Sequence, residues 1–144
     1  MTKIILTDGD PLFRESVASY IQLKVPTAEV EQVETAHELA AKVIAGDYDL
    51  VLTNLGADAR VPIEVGGSFT AIRQMRAAKP DVPIYVISAY SQGYAGRSAL
   101  NSGATGYIYK GDIAGGISAR QARAEGKQAP ALQTLDTILA NLGK

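Results

Sequence analysis

The sequence has no cysteine among its 144 residues. That excludes a disulfide framework, a zinc site built on thiolates and thiol catalysis, and it fits a reducing compartment. Net charge is small: 14 basic residues oppose 15 acidic ones, leaving −1. No basic face stands out, so direct nucleic-acid binding by this segment is not expected. No apolar run approaches the roughly 20 residues that span a bilayer. The N-terminus enters a strand-like run at Lys3, without the charged and apolar regions of a signal peptide. A cytoplasmic protein without membrane association is the expectation. Internal repeats and low-complexity tracts are absent. The one histidine, His37, lies inside a capped helical stretch and lacks the neighbours that phosphotransfer or metal ligation requires. The segment from Gly111 to Gly116 lacks the lysine of a phosphate-binding loop.

What is present is the material of one globular domain. The composition is 47% hydrophobic, and a chain of this length buries roughly two-thirds of its unfolded surface. Short apolar runs alternate with helical patterns. Ile4-Ile5-Leu6, Leu50-Val51-Leu52 and Ile84-Tyr85-Val86-Ile87 are unbroken rather than alternating, as strands buried on both faces of a parallel sheet are. Val30 and Val33 mark a weaker strand, and Tyr107-Ile108-Tyr109 a fifth. Between them, Asp10-Pro11 opens a helix with a stripe of Leu12, Val17, Tyr20 and Ile21. Thr35 to Glu38 forms a capping box ahead of Leu39, Val43 and Ile44. Phe69, Ile72, Met75 and Arg76 start a helix that must end before Pro80, and another runs from about Tyr94 to Ser102 and stops at Gly103. Residues 56–66 read as a long polar loop. Ile113 to Glu125 forms a further helix, weakened at its start by Gly115 and Gly116.

Strands separated by helices imply right-handed crossovers and a parallel sheet covered on both faces. Such α/β sheets carry function in the loops after the strands. Those loops begin at Asp8, Asn54, Ser88 and Lys110, and their convergence is the main functional clue. The domain is expected over 1–126. In the remainder, 127–144, Leu132, Leu135, Ile138, Leu139 and Leu142 share one helical face. That face must be buried on its own domain or against a second chain.

Four segments in order resemble the response-regulator receiver family: Ile4-Ile5-Leu6-Thr7-Asp8-Gly9-Asp10-Pro11, Tyr48-Asp49-Leu50-Val51-Leu52-Thr53-Asn54-Leu55, Val82-Pro83-Ile84-Tyr85-Val86-Ile87-Ser88-Ala89 and Gly103-Ala104-Thr105-Gly106-Tyr107-Ile108-Tyr109-Lys110. The pattern is closest to receivers of the NarL/FixJ (LuxR-type) class. The resemblance implies a flavodoxin-like, CheY-like three-layer sandwich with a five-stranded parallel sheet and a role in two-component signalling rather than an enzyme's. In that family an acidic pair after the first strand and an aspartate after the third bind magnesium, and that aspartate takes the phosphoryl group. A hydroxyl and a lysine after the fourth and fifth strands hold it.

This chain departs from the pattern where the chemistry sits. The acceptor position is Asn54, an amide that cannot act as a carboxylate nucleophile, and the second acidic position is Gly9. Asp8 remains, with Asp10 suited first to an N-cap and second to a metal ligand. Magnesium on Asp8 and Asp10 is therefore expected to be weak or absent. Asp8 is expected to pair with Lys110. Ser88 matches the switch hydroxyl, and Tyr107 matches a switch aromatic or is a packed strand residue. The resemblance further implies partner contacts or dimerisation through the fourth helix, the fifth strand and the helix after it. Three accounts follow: a pseudo-receiver that works without phosphorylation, a phosphorylatable receiver with a substituted acceptor cut short of a DNA-binding output domain, and a small-molecule or enzymatic domain on the same scaffold.

Overall fold

The computed structural model describes residues 1–55, 67–89, 93–110 and 130–142. The loop expected over 56–66 and the helix expected over Ile113–Glu125 lie outside the described residues. Five strands form one sheet: β1 (Lys3–Thr7), β2 (Glu29–Val33), β3 (Leu50–Thr53), β4 (Ile84–Ser88) and β5 (Gly106–Tyr109). Their order is β2-β1-β3-β4-β5 and every pairing is parallel. The helices are α1 (Pro11–Lys24), α2 (Ala36–Ala45), α3 (Ser68–Ala78), α4 (Tyr94–Ser102) and α5 (Pro130–Ala140).

The unbroken apolar strands are explained by the two layers that cover them. One core joins Ile5, Val51, Ile84 and Val86 to Leu39 and Val43 of α2, Ile72 and Met75 of α3 and Ala95 and Ala99 of α4. The other joins Ile4, Leu6, Leu50, Leu52 and Ile108 to Val17, Ala18 and Ile21 of α1 and Leu135 and Leu139 of α5. Successive strand residues thus feed opposite layers, as the period-2 pleat requires. Leu135 and Leu139 of the C-terminal segment are therefore buried on its own domain, with Ile138 and Leu142 partly buried beside them. Asp136 of α5 accepts a hydrogen bond from the Tyr20 hydroxyl and lies 3.8 Å from Lys24 Nζ.

Helix starts follow the local chemistry. Asp10 caps α1 by accepting from the Leu12 and Phe13 amides at 3.0 and 3.3 Å, and Thr35 caps α2 through the Glu38 amide at 3.1 Å. Two residues expected on buried stripes are exposed: Leu12 by 77% and Ile44 by 43%. At roughly 100° per residue, Leu12 lies about 140° round α1 from Val17, and Ile44 is one step beyond the Ala36, Leu39, Ala40, Val43 stripe that faces the sheet. Helical period, not apolarity alone, decides which side chain reaches the core.

The order β2-β1-β3 reverses the direction of strand addition on either side of β1. The crevice between the carboxyl ends of β1 and β3 is the topological switch point at which such sheets place their ligands. Asp8 and Asn54 are the residues that leave those two strands.

Candidate functional site

The site is assembled from four strand ends. Asp8 follows β1, Asn54 follows β3, Ser88 closes β4 and Lys110 follows β5. Asp8, Asn54 and Ser88 are all buried, at 3, 6 and 0% exposure. Lys110 reaches Asp8 with its ammonium 3.0 Å from Oδ1 and 2.8 Å from Oδ2. It also lies 4.2 Å from the centre of the Phe13 ring, a cation–π contact from the first turn of α1. The Lys110 amide donates to the Ser88 carbonyl at 2.7 Å, so the register of β4 and β5 holds the base of the lysine.

Asp8 is fully engaged. Besides Lys110, its Oδ1 accepts the Asp10 amide at 2.9 Å, an Asx-type turn that fixes the chain through Gly9. Its backbone carbonyl accepts from Arg14 Nη1 at 3.0 Å, and Arg14 Nε donates to Gln32 at 3.2 Å, which ties the loop to the end of β2. Asp10 is exposed, and Oδ1 of its carboxylate serves the α1 cap.

Asn54 is different. Its side-chain Oδ1 is buried and makes no hydrogen bond, and neither does the Thr7 hydroxyl at the end of β1. A buried polar atom without a partner carries a desolvation cost of about 1–3 kcal/mol. The nearest alternative, an ionised carboxylate at this position, would compete with Asp8 for Lys110. The amide carries no charge with which to compete.

The donor set can be tested for the magnesium that the family resemblance implies. A hard dication takes six or more oxygens, several of them anionic. Here one buried carboxylate is present, and both of its oxygens face an ammonium. Among the described residues no group of three or more His, Cys, Asp or Glu side chains could hold a metal ion. The residues do not fit the ion, and no chemistry is derived through it.

The remaining candidates fall as follows. Ser88 is buried in the site wall. Tyr107 is partly buried and packs against the α2–α3–α4 core, which makes it a packed strand residue in this conformation. His37 sits on α2, exposed, lining an apolar groove with Ala40, Ala41, Ile44, Gln74, Ala77 and Ala78. The sequence reading had missed Phe13 and Arg14, which set the geometry of Lys110 and Asp8. Their signal was the aromatic–basic pair two residues inside the Asp10-Pro11 helix start.

Comparison with known proteins identifies the family. Residues 4–114 match the family described as the response regulator receiver domain. The glycerol metabolism activator of Pseudomonas putida is 32% identical over 113 residues, covering 76% of this chain and 48% of that protein. The transcriptional regulatory protein LnrK of Bacillus subtilis is 28% identical over 110 residues, covering 76% and 47%. The chain spans about half the length of these two relatives. Among solved structures, a LuxR-family two-component response regulator from Aurantimonas superposes with a TM-score of 0.65 at 23% identity, covering 96% of each chain. At that identity the likeness speaks to the fold alone.

Proposed function

With the premise that this chain belongs to the response regulator receiver domain family, we propose that it signals as a pseudo-receiver, without phosphorylation at Asn54. One observation carries the reading: the acceptor position holds a buried amide whose Oδ1 has no hydrogen bond, while the lysine that would hold a phosphoryl group is bound to Asp8. The amide offers no carboxylate nucleophile. The site's two opposite charges already neutralise each other, so it has little attraction for a dication or a phosphoryl donor. The activity is then non-enzymatic and runs through protein contacts. The surface of α4 and β5 is the one we assign to a partner or a second copy, within the cytoplasm. Placement in the NarL/FixJ class belongs to the same proposal, and a transcriptional output in a longer protein is supported by two relatives, a glycerol metabolism activator and a transcriptional regulatory protein.

The test is a magnesium titration followed by amide NMR on the wild type and on Asn54→Asp. The wild type should show no saturable shifts at Asp8, residue 54 or Lys110. Asn54→Asp, with a second carboxylate beside Asp8, should show them. Saturable wild-type shifts centred on Asp8 would overturn the reading.

A further inference from the structure

α2 and α3 pack side by side on one layer of the core, and a trough runs between them on the outside. Its volume is about 570 Å³. Ala40, Ala41 and Ile44 of α2 line it against Ala77 and Ala78 of α3. The helical period explains this surface. Ala36, Leu39, Ala40 and Val43 turn one stripe of α2 to the core. His37, Ala41 and Ile44 follow about 100° further round, and all three are exposed. On α3, Ala71, Ile72 and Met75 face inward, while Ala77 and Ala78 are exposed.

A solvated helix face ordinarily carries charged and polar side chains. This trough is lined by four alanines and an isoleucine, with His37 and Gln74 and no Asp, Glu, Lys or Arg. Charges stand on its rim instead. Glu38 and Lys42 are exposed on α2, and Lys79 lies 3.4 Å from Asp47. Past the end of α3, Ala78 also lines a second depression of about 380 Å³ with Tyr48, Pro80 and Pro83. A contiguous apolar patch with a polar rim marks an interaction site.

The chemistry of the patch selects its occupant. Small residues let a second helix approach closely. Along α2 the order is bulky, small, small, bulky: His37, Ala40, Ala41, Ile44. That order is its own complement under a two-fold axis. When a second α2 lies antiparallel across the first, Ala40 stands level with the partner's Ala41. His37 then stands level with the partner's Ile44, and Glu38 falls within one residue of the partner's Lys42. Small residues meet at the centre and opposite charges meet on the rim. Ile44, 43% exposed, is the bulky aliphatic side chain of this face, and the partner's alanine trough is the space that receives it.

We propose that the α2–α3 trough is an isologous interface for a second copy of this chain. α2 and α3 have 10 and 11 residues. The face is therefore about 15 Å long and, at two helix diameters, about 20 Å wide. That footprint falls short of the roughly 800 Å² per partner of a standard interface, so the dimer is reversible and not obligate. The inference goes beyond the pseudo-receiver reading, because it rests on the outer faces of two helices and not on residue 54.

The experiment is sedimentation equilibrium on the full chain, with concentration-dependent amide NMR to locate the contact. The wild type should dimerise with a Kd on the order of 10⁻⁵ to 10⁻⁴ M, the range of a transient interface. Shifts should centre on Ala41, Ile44 and Ala77. Ala41→Glu and Ala77→Glu each place a charge in the apolar trough. Each should weaken the dimer by about tenfold or more. Their thermal melts should stay near wild type, because both positions are exposed. Leu100→Glu, at an exposed position of α4, separates this face from the α4–β5 surface, and the dimer should survive it. A wild type still monomeric at millimolar concentration overturns the assignment and leaves the trough to a foreign helix. A dimer that tolerates both alanine substitutions overturns it, and so does loss of the dimer in Leu100→Glu.

Discussion

At the carboxyl ends of the strands Lys110 meets Asp8, with side chains 18% and 5% exposed. Toward the amino ends, on the flank of β2, Lys42 meets Glu31 at 2.5 Å with side chains 45% and 37% exposed. The exposed pair belongs to a small latch. The Tyr48 hydroxyl donates to Glu31 at 2.7 Å, and Lys3 lies 5.6 Å over the Tyr48 ring. Both pairs join a lysine to a carboxylate, yet their energetics differ. Water and salt screen the exposed pair, so its net value is small. The buried pair gains more from attraction but gives up hydration of both charges, so its presence is weak evidence for stability and its disruption is costly. The charge pair at the site is thus better understood as holding a conformation and neutralising a pocket than as strengthening the fold.

The largest expected effect follows from that asymmetry. Lys110→Met leaves Asp8 buried without its counter-charge and should lower stability by about 3 kcal/mol in urea denaturation. Adding Asp8→Asn to it should return stability to within about 1 kcal/mol of the wild type. If the double variant is as unstable as the single one, the pair stabilises the fold outright and the contrast with the exposed end fails. Asp10→Ala comes next. Losing the α1 cap should cost about 1 kcal/mol, and a loss of several would mean that Asp10 also supports the site.

The smallest effects belong to the exposed latch, where pH sharpens the comparison. Burial, and then its hydrogen bond to Glu31, push the Tyr48 hydroxyl up to about 12. Its folded-state pKa therefore lies above the ordinary value of about 10. The stabilisation is complete below pH 10 and is lost as pH rises through about 12. Glu31 is held below its ordinary 4.5 by the Lys42 hydrogen bond first and the Tyr48 hydroxyl second. Its contribution is present above that value and is lost as pH falls through the lowered one. Tyr48→Phe should cost about 0.5–1 kcal/mol at neutral pH, and the gap to wild type in thermal melts should close above pH 10. Lys42→Ala should make no resolvable change at physiological salt.

Much of this could be read from the sequence because it follows from strand ends. Once Ile4-Ile5-Leu6 and Leu50-Val51-Leu52 are placed side by side in a parallel sheet, Asp8 and Asn54 must emerge together, and Lys110 is the cation that pairs with Asp8. The caps at Asp10 and Thr35 were equally legible, since they depend on neighbours three residues away. Contacts between distant segments were not. The ring of Phe13 against Lys110 and the Tyr48–Glu31 bond join side chains whose meeting depends on how helices and loops lie on the sheet. Arg76 was visible only as a helix residue, because most of its partners are backbone carbonyls, those of Lys79, Pro80 and Gly103, which carry no sequence signature. Leu12 and Ile44 looked like core residues by type and were exposed by angle.

The central claim is that Asn54 and the Asp8–Lys110 pair leave the site unable to take a phosphoryl group. Intact mass after incubation with acetyl phosphate and magnesium tests it most directly, with Asn54→Asp alongside. The account predicts no phosphoryl adduct on the wild type. A stable adduct on the wild type, mapped to a residue of this pocket, would contradict it.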